Sequence, residues 1–407
     1  MFDRKKTEAL YGRMRTPEAA EARWEGVKAA FLNRFGPGEV RGFSASGRAE
    51  ICGNHTDHNH GKVLVAGISM DTLCAARPLK DEVIVCSEGY PEVRFSVEDL
   101  SLRVEEKGDS AALCKGILAI LKQSGRKVGG FAAWTSSEVF RGAGVSSSAA
   151  FEVLVAHIQN CFYNDGALSG EELARVSQYA ENVYFGKPSG LLDQMGVALG
   201  GLTCIDFADP QRPAVRSVSA AFPGYRLFLV NTGGDHANLT PAYAAVKEDM
   251  QSAAAFFGKS FLREVDEAEF YERMPELSRA VSGRAVLRAV HFFEENKRVE
   301  RAAEAVRTGD MPAFLAAVNA SGDSSWECLQ NCWAEGDRAQ RIPLGLTLCR
   351  RYAGGGAVRV HGGGFAGTVL AFVPEGEASA FAERLSAVFG RENLFEIGIR
   401  NCGVTEL

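Results

Sequence analysis

The sequence contains no long apolar run. No stretch approaches the roughly 18 consecutive apolar residues that a membrane-spanning helix needs. The charged start, residues 1–6, is not followed by the apolar segment of a secretory signal. The sequence therefore predicts neither a membrane span nor an export signal.

The chain also lacks an excess of basic residues and any ordered cysteine spacing. Its 45 lysines and arginines are outnumbered by 51 aspartates and glutamates, giving a formal net charge of −6. Nucleic-acid surfaces are normally basic, so this balance disfavours a nucleic-acid partner, while a local site for a small anion remains compatible with it. The ten cysteines include no Cys-x-x-Cys pair, which indicates reduced thiols and a cytoplasmic location.

The length of 407 residues is sufficient for two domains. Apolar periodicity predicts helices at 19–35, 111–124, 171–184, 241–257, 285–307 and 377–389. Apolar runs bounded by turn residues predict strands at 62–68, 131–136, 202–207, 225–231 and 396–399. The turn-rich segment 209–213 is the best candidate for a boundary. We therefore predict an α+β chain with domains at 1–208 and 209–407.

Three glycine-rich clusters are present, at 47–61, 142–148 and 362–367. The middle cluster has two glycines and three serines and leads into an apolar helical pattern. A Gly-Ser loop at a helix N-terminus presents unpaired backbone N–H groups, and the helix dipole adds partial positive charge there. Such a place binds phosphate well. An ordinary loop with a serine cap is the simpler interpretation when this cluster is taken alone.

Three histidines of the first cluster, His55, His58 and His60, are close in sequence. Their spacing is not that of a zinc finger or of the His-Glu-x-x-His helix, and turn residues separate them. The pattern disfavours a dedicated metal site.

In their order along the chain, the three clusters resemble the three motifs of the GHMP small-molecule kinases. The first cluster is similar to the galactokinase signature at Gly47-Arg48, Gly53, His55-Thr56-Asp57 and Asn59. The second motif, Gly-x-Gly-Leu-Ser-Ser-Ser-Ala, is matched from Gly142 to Ala149, and the third by Gly362–Phe365 and Gly367. A further family element is matched by Glu181, Gly190, Asp193 and Gln194.

The resemblance implies a two-domain GHMP kinase fold with the active site in the cleft between the domains. It implies ATP and Mg²⁺ as cofactors and a monomeric enzyme. The ATP phosphates would lie against the second motif, which comprises Gly142, Ala143, Gly144, Val145, Ser146, Ser147 and Ser148. Ser148, or Ser147 in its place, and Glu181 would hold Mg²⁺.

By the same resemblance, Asp193 and Arg48 are the catalytic pair. Asp193 would accept the proton of a sugar's anomeric hydroxyl, or orient that hydroxyl. The permanent charge of Arg48 would neutralise developing negative charge and keep Asp193 ionised. On spacing alone, a helix N-terminal carboxylate and a surface ion pair would explain these two residues.

The resemblance also implies a set of sugar-binding residues: Asn54, His55, Asp57, Gly190 and Tyr243. A carboxylate such as Asp57 can accept hydrogen bonds from two vicinal hydroxyls. For Tyr243, packing at a helix start is the simpler interpretation.

Asn54 is the main departure, because galactokinases have glutamate there, where it meets the sugar's C6 hydroxyl. Galactose could still bind through the amide oxygen, a C6 carboxylate such as that of galacturonate could be tolerated, or another galactose-like sugar could be the substrate. His58 in place of tyrosine and Ala366 in place of glycine are further departures.

The sequence thus predicts an ATP-dependent sugar 1-kinase that acts on galactose or a galactose-like sugar. A non-catalytic regulator that binds sugar and ATP is the alternative from another class, since the family includes such proteins. A GHMP kinase for an alcohol such as mevalonate or homoserine is a weaker alternative, because the His55-Thr56-Asp57 triplet argues against it.

Overall fold

The computed structural model describes residues 2–139, 144–218, 222–233, 239–334, 336–365 and 367–407. In these ranges the strands are β1 (Arg41–Cys52), β2 (Lys62–Leu79), β3 (Glu82–Ser87), β4 (Val93–Ser96), β5 (Gly130–Ser137), β6 (Leu202–Asp206), β7 (Ala214–Val218), β8 (Tyr225–Asn231), β9 (Ala357–His361), β10 (Thr368–Pro374), β11 (Leu394–Ile397) and β12 (Thr405–Glu406). The mixed helix and strand content confirms the predicted α+β class.

The α-helices of the same ranges are α1 (Arg4–Tyr11), α2 (Pro17–Phe35), α3 (Ser110–Gln123), α4 (Ser147–Tyr163), α5 (Gly170–Tyr179), α6 (Leu192–Leu199), α7 (Thr240–Phe256), α8 (Glu267–Glu272), α9 (Met274–Ala280), α10 (Gly283–Thr308), α11 (Met311–Ser324), α12 (Arg341–Tyr352) and α13 (Ala378–Phe389). Two π-helical segments, Ala180–Phe185 and Ser325–Leu329, continue α5 and α11. None of the helices in the described ranges is long and apolar enough to span a bilayer.

The second strand is the centre of the larger sheet. One edge of β2 pairs with β1 from Arg41↔Ala76 to Cys52↔Leu64. Its other edge is shared by β6 and β5, and the sheet continues in the order β12-β1-β2-β5-β3-β4, with β7 beside β6. The strand is buried from 63 to 76, which explains its nearly continuous apolar and small-residue sequence.

The smaller sheet, in the order β11-β8-β10-β9, is antiparallel throughout. Ile51, Leu64 and Ile68 of the larger sheet share one core with Leu229 and Leu370 of the smaller one. A second core of the larger sheet is formed with α3, α4, α5 and α6, and a third with α1 and α2. The two sheets therefore share an apolar core. The first glycine cluster includes the end of β1 and the third follows the end of β9.

The predicted boundary at 209–213 lies between β6 and β7, which pair with each other within the larger sheet. The chain begins the smaller sheet only at β8, and β12 returns to pair with β1. The division into 1–208 and 209–407 stays a prediction. The boundary signal in the sequence marks a turn but does not indicate which sheet the next strand joins.

A buried carboxylate on β2 fastens both ends of the chain to the larger sheet. Asp71 is fully buried and accepts hydrogen bonds from Tyr11 of α1, Arg23 of α2 and Ser44 of β1. Arg400, also buried, lies 3.5 Å from Asp71 and donates to Ser44 Oγ at 2.6 Å. Burial raises the pKa of Asp71, but the charges of Arg23 and Arg400 outweigh it, so the pKa is lowered.

We expect Arg400→Leu to lower the free energy of unfolding by about 3 kcal/mol, because it leaves Asp71 buried with fewer partners. The urea midpoint and slope measure the change. Arg13→Leu is the matched control, since Arg13 is 55% exposed and pairs with an exposed Glu375. That control should lose less than about 1 kcal/mol. Equal losses in the two variants would contradict the fastening role of Arg400.

Candidate active site

The first motif leaves the β1–β2 ladder through two irregularities of β1. The pairing register shifts between Ser46 and Arg48 and again between Glu50 and Cys52. Gly47 makes room for the second motif, because a Cβ there would lie 2.9 Å from the carbonyl oxygen of Val145. The Arg48 amide donates to the same oxygen at 3.2 Å. The strand β1 is thus held beside the second motif, residues 142–148, which we call the phosphate-loop candidate.

Arg48 and Asp193, predicted as the catalytic pair, are in direct contact. Nε and Nη2 of Arg48 lie 2.8 and 2.7 Å from Oδ1 of Asp193. Ser146 Oγ donates to Oδ2 at 2.6 Å, and Arg48 Nη1 donates to the carbonyl of Gly144 at 2.5 Å. Burial acts to raise the pKa of Asp193, but Arg48 and Ser146 outweigh it and the pKa is lowered. Asp193 is therefore a carboxylate at neutral pH and a weak base.

The end of the second motif forms the N-terminus of α4, which begins at Ser147 after Ser146 in a left-handed conformation. Gly144 likewise has a positive φ of 67°. The N–H groups of this first turn have no partner within the helix, as expected of an anion site. Gly142 and Ala143, also predicted to contact ATP, lie outside the described residues, as does Ala366 of the third cluster.

The predicted metal ligands are also neighbours. Ser148 Oγ lies 3.2 Å from Oε1 of Glu181, which is buried in the π-helical segment after α5. Hydroxyl and carboxylate oxygens are the ligand types that Mg²⁺ prefers. Behind them, Oε1 of Glu152 and Oε1 of Gln194 are buried without a hydrogen-bond partner. This donor set fits a hard divalent cation.

Sequence reasoning missed several polar neighbours of Glu181. Gln194 Nε2 donates to Glu181 at 2.8 Å and to Glu152 at 3.1 Å. Ser189 and Lys187 also donate to Glu181, at 2.6 and 2.7 Å. Burial, followed by the charge of Glu181, raises the pKa of Glu152 well above its usual value. Gln194 stands in a recognised motif and could have been inferred, whereas Glu152 follows an apolar helical pattern that gives no such signal.

Asp57 faces the same cleft from the first motif. Its carboxylate accepts from the amides of His58 and Leu192 at 2.9 and 3.4 Å. Gly190 is required beside it, because a Cβ there would lie 1.8 Å from Asp57 Oδ2. Burial, and then the nearby charge of Asp193, raises the pKa of Asp57 to about 6.

His55 and Tyr243 connect the first motif to the third. His55 Nε2 donates to the carbonyl of Gly363 at 2.8 Å, and Tyr243 Oη donates to that of Gly364 at 2.8 Å. The two rings stack with centroids 6.5 Å apart. A Cβ on Gly363 would approach Tyr243 to 2.5 Å, so this glycine allows the close packing.

The ring nitrogens of His55 and His58 belong to a chain of hydrogen bonds. His58 Nε2 donates to His55 Nδ1 at 3.3 Å, and Asn59 Nδ2 donates to His58 Nδ1 at 3.0 Å. Burial lowers the pKa of His55 to about 4 and that of His58 well below its usual value, so both rings are neutral. His60 turns away and stacks on Phe261.

Asn54 does not take the position expected of a sugar ligand. It is fully buried, and its amide nitrogen donates to Glu50 Oε1 at 2.8 Å and to the carbonyl of Gly362 at 2.7 Å. Its oxygen accepts from Asn331 at 2.7 Å. The side chain joins the first motif to the third and leaves no polar atom free for a ligand. The expected contact with a C6 hydroxyl is therefore not supported.

Two family models match the parts of the chain that contain the first and second motifs. The galactokinase galactose-binding signature matches residues 29–78, and the GHMP kinases N terminal domain matches 112–201. A galactokinase of Clostridium tetani is 28% identical over 366 residues, covering 88% of this chain and 91% of the relative.

The solved structures that resemble the chain include Lactococcus lactis galactokinase complexed with galactose. It has a TM-score of 0.81 and 25% identity, covering 95% of this chain and 100% of that chain. Methanococcus jannaschii mevalonate kinase, at 16% identity and a TM-score of 0.62, covers 90% of this chain and 99% of its own and shares the fold.

We expect Asn54→Glu to lower the free energy of unfolding by about 3 kcal/mol, because it removes two buried donations and places a second carboxylate against Glu50. Glu50→Gln combined with Asn54→Glu restores one amide and one carboxylate and should recover at least half of the loss. A double-mutant cycle of unfolding free energies measures this coupling. Additive losses would show that the two side chains are not a unit.

Proposed function

We propose that this chain, which resembles galactokinases in its galactose-binding signature, its GHMP kinases N terminal domain and its fold, transfers the γ-phosphoryl group of ATP to the anomeric hydroxyl of galactose or a galactose-like sugar. The products are the sugar 1-phosphate and ADP. The observation that carries the proposal is the Arg48–Asp193 pair, which lies between the phosphate-loop candidate and Asp57.

The described residues of the site form two groups, one that would bind ATP and the metal and one that would bind the sugar. On the ATP side are Gly144 and the N-terminus of α4, where Ser148 and Glu181 would hold Mg²⁺. When bound, the metal would neutralise phosphate charge. Arg48 is held between this side and Asp193, where its fixed charge can stabilise the transferring group.

On the sugar side, Asp193 is an ionised but weak base, so its main contribution is to orient the anomeric hydroxyl and to receive its proton late in the transfer. Asp57 can accept from vicinal hydroxyls. The neutral His55 and the backbone at Gly190 lie beside it. Tyr243 acts through packing on His55 and through its bond to Gly364.

The position of Asn54 bears on the choice of sugar. Tolerance of galacturonate would require the Asn54 amide to face the sugar's C6 group. That amide is instead hydrogen-bonded to Glu50, Gly362 and Asn331. Galactose or a neutral relative is therefore the better-supported substrate. Mg²⁺, a monomeric state and a cytoplasmic location remain parts of the proposal.

A sugar panel tests the proposal directly. We expect ADP release with galactose to exceed that with galacturonate, galactosamine, N-acetylgalactosamine and arabinose, with phosphorus NMR identifying a 1-phosphate. Asp193→Ala should lower kcat by about 10²- to 10⁴-fold. Asp81→Ala, at a carboxylate whose side chain is 58% exposed, is the control and should be unaffected. Tight sugar binding without ADP release in the wild type would instead support the regulator.

The pKa of Asp57 predicts how sugar affinity depends on pH. Because that pKa is about 6 in the free protein, the carboxylate that accepts sugar hydroxyls is present above pH 7 and is protonated as the pH falls. The dissociation constant of galactose, measured by calorimetry, should be constant above pH 7 and rise roughly tenfold by pH 5. Asp57→Asn should bind weakly without that pH dependence. An unchanged wild-type constant down to pH 5 would exclude this role.

A further inference from the structure

Lys187 contacts the predicted metal ligand Glu181. Its Nζ lies 2.7 Å from Oε1 of that carboxylate. The side chain of Glu181 is only 2% exposed, whereas that of Lys187 is 57% exposed. One end of this ion pair is therefore fixed in the interior and the other can leave it.

The contact is built into the local backbone. Glu181 is the second residue of the π-helical segment Ala180–Phe185, and Gly186 follows that segment in the left-handed conformation, with φ of 85°. The Lys187 amide then donates to the carbonyl of Glu181 at 3.0 Å. This turn places the start of the lysine side chain beside the carboxylate and continues through Gly190 into the helix that carries Asp193.

The acceptor atoms of Glu181 are divided between two sets of donors. Oε2 accepts from Ser189 and Gln194, at 2.6 and 2.8 Å. Oε1 accepts from Lys187 and from Ser148, the second predicted metal ligand. The ammonium group therefore bonds to the oxygen that Ser148 shares, which is the oxygen facing the ATP side.

Sharing that oxygen between a divalent cation and an ammonium group at such short range is unfavourable, because the two positive charges repel each other. We propose that Lys187 holds Glu181 in the free protein and exchanges it for an oxygen of the γ-phosphate when the metal and ATP bind. This inference rests on the proposed kinase function. The charge of Lys187 is also among the causes that lower the pKa of Asp193, so the ammonium group lies near the carboxylate beside which the γ-phosphate must lie for transfer.

Charge supports the exchange. ATP with one divalent cation retains about two negative charges. On the described side chains around this site, Glu181 and Asp193 are each matched by one cation, Lys187 and Arg48. If the metal takes over Glu181, the lysine charge becomes available to the phosphates instead of opposing the metal.

The first test uses the metal alone. Mn²⁺ is titrated into nucleotide-free protein and followed by electron paramagnetic resonance. Lys187→Met should bind Mn²⁺ about tenfold more tightly than the wild type, because the oxygen it needs is no longer occupied. Lys107→Met is the matched control: this exposed lysine lies against Gly186, where a Cβ would be 3.2 Å from its Cδ, and it should bind Mn²⁺ as the wild type does.

The double variant Glu181→Gln with Lys187→Met locates the effect, because it should lose the gain in Mn²⁺ affinity. Equal Mn²⁺ affinity in the wild type and Lys187→Met would overturn the first half of the proposal. Unchanged circular dichroism is expected for Lys187→Met, since the lysine side chain is more than half exposed.

The second test uses nucleotides with Mg²⁺. Lys187→Met should weaken binding of a non-hydrolysable ATP analogue about tenfold relative to binding of ADP, because only the former carries the γ-phosphate, whereas any gain in metal affinity acts on both nucleotides. Equal effects on both nucleotides, or none, would overturn the phosphate contact. Sugar-dependent ADP release by the wild type is scored separately, so a failure of the proposed function is distinguishable from a failure of the exchange.

Discussion

A buried ion pair between the two sheets is the contact on which the site depends. Arg359 of β9 is fully buried and donates to Glu50 of β1 at 2.8 Å and to the carbonyl of Ile51 at 2.9 Å. A buried pair of this kind is favourable only when its remaining polar atoms are also satisfied. Asn54 completes it by donating to the same oxygen of Glu50 and to Gly362. These contacts fix the positions of the first and third glycine clusters relative to each other.

The groups proposed to take part in the reaction lie outside this buried pair, and two of their carboxylates are each paired with a cation. Asp193 is paired with Arg48, and Glu181 with Lys187. Asp57 has no cation and accepts only backbone amides in the described part of the chain, which is why its pKa is raised while that of Asp193 is lowered. Two aspartates in one cleft thus differ in pKa, mainly because Arg48 offsets the burial of Asp193 whereas no cation in the described part of the chain pairs with the buried Asp57, and this difference separates the roles proposed for them.

The mixed helix and strand content could be predicted from local apolar patterns, whereas the residues of the candidate site were predicted from their resemblance to family motifs. The glycine-rich turns and the motifs that contain Arg48 and Asp193 can be identified from the order of residue types along the chain. The direction of a side chain cannot be predicted in this way. Asn54 stands in the sugar motif but points into the interior, where it is hydrogen-bonded to Gly362 and Asn331, 308 and 277 positions away. The helices α1, α8, α9, α11 and α12 were not predicted either. Lys187 was also missed, because its proposed role depends on the carboxylate that it contacts and not on its neighbours in sequence.

The distance along the chain between Glu50 and Arg359 also affects the order of events during synthesis. The two residues are 309 positions apart, so at 5–20 residues per second the arginine is made about 15–60 s after the glutamate. During that interval the ribosome-bound chain already contains the strands β1 and β2, but the carboxylate of Glu50 lacks the hydrogen bond from Arg359. Burying it alone would be costly, so the first motif must stay hydrated until β9 emerges. The contact that joins the first motif to the third is therefore completed only after β9 has been synthesised.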